Sequence, residues 1–498
     1  MRLLIEECGV FSPEAPRGYR PGQHIVIEGN RILAISGQKP DGDFDRVITA
    51  RNSLAIPGLV NAHTHSAENY LRGTTERMPL ETWLVHLVCM PGDYSPRDHY
   101  LSIMLGVIEM LHSGVTAVVD NFWMSPMLSP EALDAAMMAY DESGMRAAVA
   151  PLLGDALFDA DYGIEHGHQL EETRYVRTLR HHPDLAEIFD VLEGFFARWH
   201  GAGEGRLQCY VGPSGLQWCT EEFLERCSAL ARRHRSGFHM HLMETRLQDV
   251  VCRHRFGCTG VEWMAQHGLL GPEVSLPHCV WVTGKDLELI AGAQAKVVHN
   301  PAANLKLGSG RAPLRDMLDL GIVVALGSDG AASSDNQVLF DVIRLAALIH
   351  NAPEVASNKW ISAREVFQMA TEAGAAVLGL EGRLGRLEPG FLADITLLDL
   401  SSPNLVPVND ACRSMVFCET GASVRTVIVD GRVIMEDGHI EVFNEHAILA
   451  EAREVVEGRV FRNDIPAEVQ AAIERFAAFR QDVMEEGQRG GSSWPRAM

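Results

Sequence analysis

A chain of 498 residues is long enough for two or three average domains, or for one large barrel with a smaller attached unit. Hydrophobic residues make up 46% and charged residues 22%, which excludes the disordered and fibrous classes. With 43 Lys+Arg against 66 Asp+Glu the formal charge is -23, a field that repels phosphate backbones and anionic lipid, so neither nucleic acid nor membrane is expected as a partner. The ten cysteines contain no C-x-x-C pair, and the N-terminus turns acidic at Glu6-Glu7, too soon for a signal peptide. No apolar run reaches membrane-spanning length, and the reading is a reduced, cytoplasmic protein.

Residues 1–55 carry short alternating runs, His24 to Glu28 and Arg31 to Ile35, separated by Gly29-Asn30, which predicts a β-hairpin. A matching pattern returns in Ala393 to Asp399 and Val424 to Arg432, so both ends are expected to build one small β-domain from residues 1–55 and 385–445. Between them, apolar strands at 54–63, 116–122, 146–153, 207–213, 238–243, 274–281, 295–300 and 321–328 alternate with amphipathic stretches such as Arg97 to Ser113. That count predicts an α/β fold, a (β/α)8 barrel over 56–384 with its site at the strands' C-terminal ends. Long connections at 66–96 and 154–206 are expected to shape the mouth, and 446–498 reads as a helical tail.

The first barrel strand ends in His63-Thr64-His65, and residues two apart in a strand leave the same face, so the pair can grip one metal ion. Two ligands do not complete a tetrahedral site. Strand five offers His239 and His241, of which His241 is the preferred ligand because Glu244 follows it. Strand six ends at His278, and strand eight ends at Asp329 in a Gly-flanked turn. Each alone has a bland reading, as core histidine or turn carboxylate. Their coincidence at one barrel mouth favours a site.

His63, His65, His241 and Asp329 form a donor set suited to Zn2+, with Fe2+ as the alternative, one ion per chain. Water acidified by such an ion becomes a nucleophile at neutral pH. Asp329 is placed to take its proton, His278 to assist, and Glu244 to carry a proton to a ring nitrogen of the substrate. The expected reaction is hydrolytic displacement of a leaving group such as ammonia from an sp² carbon.

These residues, with the Pro57 to His65 run, His241 to Glu244, His278 to Val280, His299 to Gly310 and Gly327 to Gly330, resemble the amidohydrolase superfamily over about residues 20–440. The branch they look like contains triazine hydrolases, cytosine and guanine deaminases and methylthioadenosine/S-adenosylhomocysteine deaminase. The resemblance implies a barrel, a flanking β-sandwich and a mononuclear site. Binuclear members carry a bridging lysine on strand four, and the segment Leu207 to Pro213 has none. The five lysines are Lys39, Lys285, Lys296, Lys306 and Lys359.

The nucleoside deaminases of the branch carry an acid for the ribose hydroxyls, for which Asp93 stands nearest here, one residue out of place. Against dehalogenating relatives, Gly330 replaces a polar amide and His299 a glutamine. The expected substrate is a small aminated nitrogen heterocycle: a purine, pyrimidine, pterin or s-triazine. Glu68, Trp83, Trp123, His299 and Asn304 are further candidates to contact it by position, and a homo-oligomer is expected. Triazine-type chloride or alkylamine displacement and cyclic-amide hydrolysis are the alternatives within the class, and a non-catalytic binding barrel the alternative outside it.

Overall fold

The computed structural model describes residues 1–89, 94–124, 128–156, 183–353 and 355–458, with isolated positions between 467 and 481. Both chain ends meet in a nine-stranded sheet. The expected hairpin is present as Tyr19–Glu28 antiparallel to Arg31–Ser36, turning at Gly29 with φ +60°. Ile395–Asp399, Val424–Val429 and Arg432–Glu436 supply the C-terminal strands. Ile27 and Ile32 near one edge share a single apolar cluster with Ile428 and Val433 near the other, so the sheet wraps around its own core.

The barrel strands are Leu59–Thr64, Val115–Phe122, Arg146–Leu153, Leu207–Cys209 with Gly212–Pro213, Phe238–His239, Val274–Pro277, Lys296–His299 and Val324–Leu326. All ladders between them are parallel. A bridge from Val211 to Phe238 joins the two sheet segments, and the Asp329 N–H donating to His63 O at 3.0 Å closes strand eight on strand one. Small side chains at alternate positions, Val60 and Ala62, Ala117 and Val119, Ala148 and Ala150, form one cluster with Val298 and Ala325.

The strand expected over 54–63 is two strands. Ser53–Pro57 lies in the terminal sheet, between Arg2–Phe11 and Ile395–Asp399, and the barrel strand starts at Leu59. Gly58 is the hinge: its N–H donates to Asp394 O at 2.9 Å, and a Cβ there would fall 2.2 Å from Thr116 Oγ1. Strands five and six end at His239 and Pro277, sooner than expected, and beyond them the backbone turns left-handed at Met243, His278 and Cys279. The helix expected from Arg97 to Ser113 spans Pro96–His112, and Ser95 and Asp98 form its capping box. Glu445–Gly458 packs against it, with Arg97 Nε donating to Glu451 at 2.8 Å and His112 Nε2 lying 3.0 Å from Glu445. Among the described residues no helix is long and apolar enough to cross a membrane.

Arg146, at the N-terminal end of strand three, clasps the small sheet to the barrel. Its guanidinium donates two bonds to Asp394 at 3.0 Å and a third to Asp430 at 2.8 Å, and all three groups are buried. The Asp430 N–H and Asn30 Nδ2 satisfy further carboxylate lone pairs at 2.9 and 3.3 Å. Arg146→Ala, which strands two buried carboxylates, is expected to destabilise the fold by about 3–5 kcal/mol in a denaturant titration. A loss under about 1 kcal/mol would show that the clasp is not structural.

Candidate active site

His63 and His65 project from the end of strand one, where the chain passes into the short turn Ser66–Leu71. Asp120, from strand two, holds that turn: its carboxylate accepts from the Ser66 N–H at 3.0 Å and from Tyr140 Oη at 2.9 Å. His65 Nδ1 lies 2.6 Å from Asn121 O, and His241 Nδ1 lies 3.1 Å from Ser214 O. A carbonyl has no hydrogen to give, so both Nδ1 atoms carry one, and both Nε2 atoms are bare lone pairs in the neutral rings. Those two Nε2 atoms face each other at 3.2 Å.

His239 and His241 separate by environment. His239 is fully buried behind His63, with Nε2 2.8 Å from His63 Nδ1 and Nδ1 2.7 Å from Ser275 Oγ, whereas His241 lines the cavity. With the proton on His63 Nδ1, the relay runs through His239 to Ser275, and His63 Nε2 is left bare. That atom is buried without a hydrogen bond, 3.5 Å from Asp329 Oδ1, which also lies 3.3 Å from His65 Nε2. Burial pushes the His63 imidazole down to about 4 and that of His241 well below its ordinary value, so both are neutral at pH 7, as metal ligation requires. The sets His63, His65, His241 and His63, His278, Asp329 each bring their donor atoms within 4.8 Å of one another. Buried lone pairs converging without hydrogens between them fit a cation.

Glu244 and His278 stand beside this cluster. Ser309 Oγ donates to Glu244 Oε1 at 3.0 Å, and the Glu244 N–H donates to Gln248 Oε1 at 2.8 Å. Burial pushes the Glu244 carboxyl up to about 7. His278 Nε2 lies 3.7 Å from Glu244 and 3.8 Å from Asp329. Its Nδ1 donates to Asn304 Oδ1 at 2.8 Å, which fixes the tautomer with Nε2 facing the two carboxylates.

A cavity of about 170 Å³ opens above these groups, lined by His65, Glu68, His241, Glu244, His278 and Asp329. Trp83 and Trp123 line it as expected. Sequence reasoning missed Leu152, near the end of strand three, and Trp218, from the connection after strand four, and also Leu80, Leu84 and Leu87. These three lie with Trp83 on one face of the helix Leu80–Cys89, a spacing that was readable. Asn304 and His299 are not part of the cavity wall. Asn304 is turned to His278, and His299 lies buried with Nε2 3.2 Å from His350 Nε2. Asp93 lies outside the described residues.

A parallel barrel with a histidine and aspartate cluster at its mouth defines a hydrolase with a metal site. A model of the Amidohydrolase family matches residues 54–434, and the chain belongs to that family. It is 33% identical to a 5'-deoxyadenosine deaminase of Methanosarcina mazei over 461 residues, covering 92% of this chain and 99% of the relative. A 5-methylthioadenosine/S-adenosylhomocysteine deaminase of Moorella thermoacetica is 34% identical over 459 residues, covering 90% and 98%. The crystal structure of atrazine chlorohydrolase from Arthrobacter aurescens TC1 complexed with zinc superposes with a TM-score of 0.82 at 27% identity, covering 91% of this chain and 100% of that one. The expected enzyme class, a hydrolase acting on carbon–nitrogen bonds other than peptide bonds, is borne out.

Chelator-treated protein is expected to gain stability when Zn2+ is restored, by about 2.7 kcal/mol at a hundredfold excess over Kd. His241→Ala should lose most of that gain. Equal shifts for both proteins in scanning calorimetry would place the ion elsewhere.

Proposed function

We propose that the protein is a hydrolytic deaminase of aminated nitrogen heterocycles. It works with one zinc ion, or Fe2+ in its place, held by His63, His65, His241 and Asp329. The convergence of the His63 and His65 Nε2 atoms on Asp329, with the half-buried His241 Nε2 facing His65, carries this reading, and the deaminase relatives support it. When bound, such an ion lowers the pKa of water toward neutrality.

Asp329 then accepts the proton of the attacking water as its oxygen bonds to the amine-bearing ring carbon. Glu244, held near neutrality by burial, delivers a proton to the adjacent ring nitrogen, which drains electrons from that carbon. His278 Nε2, aimed by Asn304, stabilises charge between the two carboxylates. The amino group takes the proton held by Asp329 and leaves as ammonia, while the new hydroxyl returns its proton to Glu244, so that C=O forms and the ring nitrogen keeps its hydrogen. Trp83 and Trp123 stack on the planar ring, and the Leu80, Leu84 and Leu87 face excludes water. His299, buried away from the cavity, has no part in this scheme.

Purines, pyrimidines, pterins and s-triazines all satisfy these requirements. The likeness to atrazine chlorohydrolase favours one second reading, displacement of chloride or an alkylamine by the same groups. The proposal further takes residues 1–57 with 385–445 as the small domain, 58–384 as the barrel and 446–498 as a tail, the expected boundary at 55 moving to Gly58 because Ser53–Pro57 pairs in the terminal sheet. It places the protein in the cytoplasm as a homo-oligomer.

Ammonia release from a panel of aminopurines, aminopyrimidines, pterins and aminotriazines tests the reaction, and silence across the panel would contradict it. In the same assay Glu244→Gln is expected to lower kcat by about 10²–10⁴-fold. Its metal content by elemental analysis should stay at one ion per chain. Near-normal turnover would remove Glu244 from the mechanism.

A further inference from the structure

Glu68 is a buried acid in the cavity wall that the steps above leave unused. It is 2% exposed, on the turn that follows His65. The Ala332 N–H donates to its Oε2 at 3.3 Å, the one hydrogen bond to this carboxylate found among the described residues. Lys306, whose charge reaches it, is already committed to Ala332 O at 3.1 Å and to Asp335. A desolvated carboxylate with one weak donor is poorly compensated unless something in the cavity supplies another.

Gly330 makes room for this carboxylate. Its φ is outside the left-handed region, so the backbone does not demand glycine. A Cβ at 330 would instead fall 1.9 Å from Glu68 Oε2 and 2.4 Å from its Cδ. The Gly330 N–H also donates to Asp329 Oδ1 at 2.9 Å, so Glu68 is seated on the Oδ1 side of Asp329. His278 lies on the Oδ2 side, with Glu244 beyond it. Glu68 follows strand one and Glu244 follows strand five, which stand opposite each other in an eight-stranded barrel. A reacting ring carbon above Asp329 therefore has Glu244 on one flank and Glu68 on the other.

We propose that Glu68 accepts the N–H of the substrate's exocyclic amine and so selects amine-bearing heterocycles over their chloro or alkoxy counterparts. The inference rests on the deaminase reading and names the leaving-group class that this site admits. An amine N–H meets a carboxylate oxygen favourably. A chlorine or ether oxygen at that place offers no donor and leaves the buried carboxylate unpaired, and a site built to bond a donor rejects the analogue lacking it by large factors.

The test measures binding as well as turnover. In zinc-loaded Glu244→Gln protein, equilibrium binding of matched amino- and chloro-substituted purines and s-triazines is followed by tryptophan fluorescence, since Trp83, Trp123 and Trp218 line the cavity. The amino member is expected to bind about 100-fold tighter, and adding Glu68→Leu should cut that ratio at least tenfold. Gly330→Ala, whose methyl displaces the carboxylate, should reduce the ratio when Glu68 is present. It should not reduce it further beside Glu68→Leu. Circular dichroism checks that each variant is folded.

An amino-to-chloro ratio near one in the Glu68 protein, or an undiminished ratio in Glu68→Leu, overturns the proposal. Wild-type enzyme that binds the amino member selectively yet releases no ammonia would refute the deaminase reading and leave the recognition role of Glu68 standing.

Discussion

Two imidazole nitrogens, His65 Nε2 and His241 Nε2, face each other 3.2 Å apart while the hydrogens of both rings point backwards at the carbonyls of Asn121 and Ser214. Lone pair against lone pair is repulsive in a buried site, and a cation between them turns repulsion into bonding. The surrounding structure holds this arrangement in place. Strand two contributes both the Asn121 carbonyl and Asp120, which grips Ser66 next to His65. The loop after Gly212–Pro213 contributes the Ser214 carbonyl. His63 joins through a relay of its own, braced by His239 and Ser275.

Four of the positive-φ residues other than glycine sit at this end of the barrel. Met243, His278, Cys279 and Asp329 all have positive φ without being glycine, a conformation that costs on the order of 1–3 kcal/mol apiece. Hydrogen bonds offset the cost. The Cys279 and Val280 amides donate to Leu242 O and Met243 O at 3.0 Å, and Asp329 donates to His63 O. Asn61 ties strand one to Ser328 through bonds of 2.7 and 2.9 Å, while Gln337 Nε2 reaches Asp329 O at 3.1 Å. At the opposite end, Arg146 and its two aspartates fasten the small sheet. Chemistry and stability thus occupy opposite ends of the strands.

Much of this was legible because strand periodicity and the ends of strands carry local signals. His63-Thr64-His65, Glu244 three residues past His241, and Asp329 between glycines all announce themselves within a few residues. What was not legible depends on partners far away in the chain. An apolar run does not reveal which sheet it joins, so the division at Gly58 was invisible. His239 and His241 share a strand face, and their separation rests on Ser275 behind one and the cavity before the other. Asn304 read as a substrate contact because its tie to His278 spans 26 residues. Gly330 read as the loss of an amide, whereas its space is filled by Glu68 from the far end of the barrel sequence.

Three imidazoles and one carboxylate are proposed to enclose a single ion. Zinc K-edge X-ray absorption on the purified protein tests it most directly. The expected spectrum fits three imidazole nitrogens at about 2.0–2.1 Å and oxygen at about 2.0–2.2 Å, with no neighbouring metal. A sulfur shell near 2.3 Å, or a second metal at about 3.5–4 Å, would contradict it.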